Sequence, residues 1–231
     1  MDLRLDPRIG PPRERVSGAD RVVTGHGVSV APLGPGSVGQ SPLTCRAPMK
    51  IYTRKGDDGT TGLYFGGRVR KDDPAPMAYG DVDEAQAFLG LARAEARVEH
   101  EGEGGELDAM LVGLERDLWV LMAELATDNA NRHKLVDGAT RVTDAMVAAL
   151  ETQIDDLTTR FTLPKEFVVP GQNRTAALLD VARTVVRRAE RSSLVAAPPG
   201  SLVITYLNRL SDLLWTMARW QDGVSLTART K

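Results

Sequence analysis

Much of what would place this chain in a familiar class is missing from it. Its 231 residues include one cysteine, Cys45, and three histidines. One thiol cannot close an internal disulfide, so a reducing compartment, the cytoplasm, is expected. Scattered histidines with a single cysteine give no zinc spacing. No apolar run approaches the roughly 20 residues of a membrane span, and the N-terminus lacks the apolar core of a secretory signal. An excess of one charge is also absent. The net charge of −2 excludes a polyanion binder with a basic surface throughout, no nucleic-acid partner is expected, and any basic function must be local.

What remains divides into two stretches. In residues 1–48, Pro7, Pro11, Pro12, Pro32, Pro35, Pro42 and Pro48 alternate with glycines and arginines, without helical or strand periodicity. Such a segment has too little apolar surface to offset the entropy of ordering it, so it is expected to be a disordered extension. Met49 stands as an alternative translation start. Residues 49–231 read as one helical domain.

Within that domain a glycine-rich loop, Thr53 to Gly67, comes first. Asp81 with Glu84 three residues on has the form of a capping box. It predicts a helix to about Glu99 that buries Val82, Ala85, Leu89, Ala92 and Ala96, with Asp83, Ala87, Gly90 and Ala94 as a strip of mostly small residues opposite. Leu107, Leu111, Leu114, Leu118, Leu121 and Leu125 alternate spacings of four and three, the stripe of helix bundles. Thr143 predicts the cap of a helix burying Val147, Leu150, Ile154 and Leu157. A connector with Pro164, Pro170 and Gly171 leads to an arginine-rich helix, and a last helix runs from Ser201 to about Gln221. Five amphipathic helices without alternating strands predict an all-α, up-and-down five-helix bundle.

Three features carry chemistry. At about 100° per residue, Arg183, Arg187 and Arg191 fall within about 80° of one another, with Glu190 among them. Leu178, Ala182, Val185, Val186 and Ala189 lie opposite. A guanidinium stripe of this kind is either a solvated face or an anion site for phosphate or carboxylate. On the last helix, Asn208, Ser211, Asp212, Trp215 and Arg219 share one side. They read either as a structural network between two helices or as the arginines' partner, with Asp212 holding a guanidinium. The third feature, Thr53-Arg54-Lys55-Gly56-Asp57-Asp58-Gly59-Thr60-Thr61-Gly62, can turn its N–H groups onto phosphate or simply form a surface turn. It is not a Walker A loop, because no Gly-Lys-Ser/Thr closes it.

The run Tyr52 to Gly62 resembles the N-terminal signature of the PduO-type ATP:cob(I)alamin adenosyltransferases. So do Lys71-Asp72-Asp73-Pro74 with Ala78-Tyr79-Gly80-Asp81-Val82-Asp83-Glu84, Phe167-Val168-Val169-Pro170-Gly171, Val181 to Arg191, and Tyr206-Leu207-Asn208-Arg209-Leu210-Ser211-Asp212. The blocks keep the family's order and do not extend into residues 1–48. The resemblance implies a five-helix bundle that assembles as a homotrimer with intersubunit sites. It implies binding of ATP with Mg2+, held mainly through the phosphates, and of cob(I)alamin or a related corrinoid as substrate. Adenosylation with release of triphosphate is the implied activity. The alternative is a corrinoid-binding delivery or regulatory module with little turnover, and a reductase or an adenosylcobalamin-dependent mutase is a candidate partner.

Carried over by resemblance, Thr53, Arg54, Lys55, Gly56, Thr61, Gly62 and Lys71 contact ATP from one subunit. Arg187, Arg188, Glu190, Arg191 and Asn208 complete the site from its neighbour. Arg188 lies about 60° beyond the stripe by helical arithmetic and is expected to reach across a subunit boundary. Asp83 pairs with Arg183 between subunits on the corrinoid side, and Phe167 covers the lower axial face of cobalt. From sequence alone, Phe167 reads equally as a core phenylalanine. Tyr64-Phe65 and Gln172-Asn173-Arg174 depart from the family pattern near these sites.

Overall fold

The leucine stripe is buried from end to end. In the computed structural model, which describes residues 52–99 and 105–229, α2 spans Gly105–Leu125. Its six stripe leucines are each at most 3% exposed. Helix α1, Pro74–Glu99, fully buries Val82, Ala85, Leu89, Ala92 and Ala96 as their spacing requires.

The capping box expected at Asp81 is not one, because α1 begins about two turns earlier. The Met77 N–H makes the first intrahelical bond, to the Asp73 carbonyl at 3.2 Å. Pro74 and Pro76 sit in the first turn, where the N–H that proline lacks would have no helical acceptor. Asp81 and Glu84 therefore lie inside the helix, with their carboxylates available to a neighbour.

Helix α3, Asp144–Thr158, is capped as expected. The Thr143 side chain accepts from the Met146 N–H at 3.3 Å, and Val147, Leu150 and Leu157 are buried with Ile154 half-buried. Helix α4, Arg174–Ala196, starts at Asn173, whose Oδ1 accepts from the Ala176 N–H at 2.7 Å while its Nδ2 donates to the Gln221 carbonyl. One of the sequence departures is thus a helix cap. Helix α5 spans Val203–Asp222. In the bundle α1 packs on α2 and α4, α4 on α5, and α5 on α3.

A small sheet was not legible in the sequence. The glycine-rich stretch closes an antiparallel hairpin of β1 (Thr60–Gly62) and β2 (Arg68–Arg70), with Thr61 opposite Val69. Strands of three residues are too short to show alternation. The hairpin turn docks where α2 ends: Tyr64 N–H donates to the Ala126 carbonyl at 2.9 Å. Tyr64 and Phe65 pack edge to face, and Lys134 lies 5.8 Å from the Phe65 ring.

Beyond α5 the chain turns at Gly223, whose φ of 66° suits glycine. It then pairs with the connector before α4. Val169 N–H donates to the Leu226 carbonyl at 2.8 Å and Ala228 N–H to the Phe167 carbonyl at 2.7 Å, either side of an antiparallel Val168–Thr227 bridge.

Residues Leu5–Arg54 form a separate unit, of which Tyr52, Thr53 and Arg54 are described. All three are exposed, and the Arg54 guanidinium lies 5.6 Å from the Tyr52 ring. The expectations of disorder over residues 1–48 and of a start at Met49 lie outside the described residues. Among those, no helix is long and apolar enough to cross a membrane.

Candidate active site

The hairpin end is organised by short-range bonds. Asp58 Oδ1 accepts from the Thr60 N–H and hydroxyl at 2.9 and 2.7 Å, and those bonds, the hydroxyl's foremost, hold its carboxyl below the ordinary aspartate pKa. Arg68 reaches the Thr60 hydroxyl at 3.0 Å and the Lys55 carbonyl. Gly56 is a tight position: a Cβ there would lie 3.2 Å from both Lys71 Nζ and the Thr60 carbonyl oxygen, so a neighbour would have to give by a few tenths of an ångström. Gly56, Thr61, Gly62 and Lys71 are therefore gathered on one hairpin, with Lys55 at its base.

Helix α4 sorts its arginines into two kinds. Arg188, off the stripe by helical arithmetic, turns to α1 and is ion-paired with Asp81 at 3.2 Å and with Glu84. Ser192 donates to the second Asp81 oxygen at 2.5 Å. Within this chain these contacts form a clamp between α4 and α1, and they explain the mid-helix acids. Arg183 is held by Asp180 at 3.3 Å. Arg187 and Arg191 are exposed, and among the described residues neither has a carboxylate partner; Arg191 Nη1 donates to the Arg187 carbonyl at 2.9 Å. Beside them Glu190 accepts from Asn208 Nδ2 at 3.1 Å, and Arg209 Nη1 donates to Asn208 Oδ1 at 3.0 Å.

The partner expected of Asp212 belongs to Asp180. Asp212 is exposed, whereas Asp180, at 5% exposure, binds Arg183 through one oxygen and Arg219 Nη2 through the other at 2.6 Å. Arg219 is 1% exposed, lies 5.9 Å from the Trp215 ring, and has Nε 2.9 Å from Asp222 Oδ2. That ion pair is not aligned as a hydrogen bond: Arg219 Nε and both Asp222 oxygens are buried without one. Burial pushes the Asp222 carboxyl above its ordinary pKa, partly offset by the charge of Arg219.

A cavity of about 670 Å3 opens beside this group, with Asp180, Arg183, Trp215 and Arg219 on one side. The connector brings Phe167 and Lys165, and the C-terminal tail brings Ala228 and Arg229. Phe167 is 90% exposed, which excludes a core phenylalanine within this chain. Asp83 lies exposed on α1. Sequence reading missed Asp180, flanked by the apolar Leu179 and Val181, and the tail, which carries no periodic pattern.

The profile of the family described as Cobalamin adenosyltransferase matches residues 51–221. A corrinoid adenosyltransferase of Citrobacter freundii is 40% identical over 178 residues, covering 75% of this chain and 95% of the relative. The Bacillus subtilis protein of the same name is 38% identical over 176 residues, covering 74% and 86%. A solved variant of the PduO-type ATP:corrinoid adenosyltransferase from Lactobacillus reuteri, complexed with cobalamin and ATP, superposes with a TM-score of 0.69 at 28% identity, covering 78% of this chain and all of that one. With its helical bundle matched almost throughout, the chain belongs to the cobalamin adenosyltransferase family.

Proposed function

We propose that this chain transfers the 5′-deoxyadenosyl group of ATP to the Co(I) centre of a reduced corrinoid. The cobalt electron pair forms the Co–C5′ bond as the C5′–O bond breaks. That bond's pair leaves with triphosphate, and cobalt becomes formally Co(III). The metal is the nucleophile, so the protein needs no side-chain base; its tasks are placement and stabilisation of the leaving group.

One observation carries the reading: Arg187 and Arg191 project from α4 without a carboxylate partner among the described residues. Neighbouring arginines on the same helix are neutralised by Asp180 and by Asp81 with Glu84. Unneutralised, planar guanidinium groups suit a triphosphate whose charge grows in the transition state. Glu190 and Asn208 sit beside them, and the hairpin of a neighbouring subunit in a homotrimer supplies Lys55, Gly56, Thr61, Gly62 and Lys71, with Thr53 and Arg54 from the segment before it. Among the described residues no cluster of acidic, histidine or cysteine side chains could cage a cation. Mg2+ would be held mainly by the ATP phosphate oxygens and water.

The cavity receives the corrinoid, with Arg183 meeting Asp83 of a neighbour at its edge. The exposed Phe167 ring covers the lower axial face of cobalt and excludes a ligand there. Incubation with ATP, Mg2+ and chemically reduced cobalamin should convert the spectrum to that of the adenosylated form. Corrinoid binding without conversion would point to a delivery module instead. Arg187→Ala should lower kcat by about a hundredfold or more, the loss typical of one leaving-group or oxyanion donor, with folding intact because the side chain is exposed. Turnover within a fewfold of wild type would remove Arg187 from its role.

A further inference from the structure

Asp180 lies outside every motif that carries the family resemblance, yet it is the most constrained carboxylate in the cavity wall. An aspartate three residues before an arginine on an exposed helix face would be a weak pair. Here the carboxylate is not free to turn. It is 5% exposed, and its second oxygen is held at 2.6 Å by Arg219 Nη2. Arg219 is fixed in turn by near-complete burial, by the Trp215 ring at 5.9 Å and by the Asp222 carboxylate at 2.9 Å. The first oxygen takes Arg183 through Nε alone, at 3.3 Å. Among the described residues, the two terminal nitrogens of Arg183 have no acceptor. A guanidinium anchored at Nε keeps its outer edge for a second, directional contact.

We infer that Asp180 is a positioning residue. Buttressed by Arg219, it anchors Arg183 by Nε before substrate arrives and leaves the terminal nitrogens for an acceptor that comes with the assembled corrinoid site. Formally, two arginines face two aspartates in this group. This inference rests on the reading that the cavity takes the corrinoid, and it predicts an effect on the corrinoid that ATP does not share.

The test uses the full chain with cob(II)alamin in the presence of ATP, reading corrinoid Kd by absorbance and, separately, the rise in Tm that ATP induces. Asp180→Asn should weaken corrinoid binding by about fivefold to twentyfold, as expected for a charge-assisted bond that orients a neighbour, with the ATP response unchanged. A folded Asp180→Asn protein whose corrinoid Kd stays within twofold of wild type overturns the inference. So does a parallel weakening of ATP, which signals general loosening. Should Asp180→Asn fail to fold, Asp180→Glu decides. It keeps the charge and moves it by one methylene, so corrinoid Kd should rise about threefold or more, while an unchanged Kd rejects the role. Wild-type protein that binds no corrinoid would sink the reading of the cavity, an outcome distinct from a wild type that binds and a variant that binds equally well.

Discussion

Glu124 and Asp222 are comparably buried carboxylates that are served very differently. Glu124, at the end of α2, accepts from Arg132 Nη2 at 2.7 Å, the Ser201 hydroxyl at 2.8 Å and the Val142 N–H at 2.7 Å. Those bonds tie the 3-10 turn Asn129–Lys134, the approach to α3 and the approach to α5 onto the α2 terminus. Asp222 has an arginine within 2.9 Å, and neither of its oxygens completes a hydrogen bond. The satisfied charge stands at a joint between segments, and the unsatisfied one faces Arg219, which lines the cavity. A buried carboxylate with both oxygens bonded rigidifies a fold, even though Arg132 Nη1 beside Glu124 is itself without a bond; a carboxylate with neither oxygen bonded needs a reason other than stability.

The comparison can be broken at its strong end first. Glu124→Ala leaves the Arg132 guanidinium, the Val142 N–H and the Ser201 hydroxyl without their acceptor. It should cost roughly 3–5 kcal/mol, the usual loss when one partner of a buried pair is removed. Urea unfolding checks this through the midpoint at unchanged m-value. A loss below about 1 kcal/mol would show that Glu124 is no joint, since that is the range of an exposed pair.

A smaller effect is expected where the tail meets the connector. Phe167 is held in place by backbone, because its ring packs on almost nothing in this chain. Ala228→Pro removes the N–H that the Phe167 carbonyl accepts at 2.7 Å. One backbone hydrogen bond contributes about 0.5–1.5 kcal/mol, so Tm should move little while corrinoid KM rises up to about tenfold. Ala228→Ser keeps the N–H and should behave as wild type. Equal KM values for the two variants would mean that the tail does not position Phe167.

These features differ in how far the sequence reveals them. The α2 leucines, the Thr143 cap and the α4 stripe follow from local periodicity and capping chemistry, and even the departure of Arg188 from the stripe follows from angle. The start of α1 was hidden because Asp81 and Glu84 mimic a cap while serving Arg188 across the bundle. The hairpin was hidden by its length. Asp180 was overlooked in favour of Asp212 because a charge between two apolar residues discloses its partner only when α5 packs on α4. Tail pairing likewise depends on where α5 delivers the chain, which no local pattern encodes.

The smallest effect bears most directly on the comparison. Burial raises the Asp222 carboxyl above its ordinary value of 3.8, the charge of Arg219 opposes that rise and Asp180 adds to it. An acid whose pKa is raised on folding binds protons more readily folded than unfolded. Its contribution to stability is therefore complete below 3.8 and is lost as pH rises through the raised value. Asp222→Asn keeps the shape while removing a charge that faces Arg219, so its Tm relative to wild type at pH 7 sets the baseline of the comparison. Wild type should then gain on the variant as the pH falls towards 4. The quantity to follow is the difference between the two proteins, because carboxyls lowered by their partners, such as Asp58 and Asp108, titrate in the opposite sense in both. If wild type instead loses ground to Asp222→Asn on acidification, Asp222 is as well served as Glu124. The contrast between the two carboxylates would then disappear.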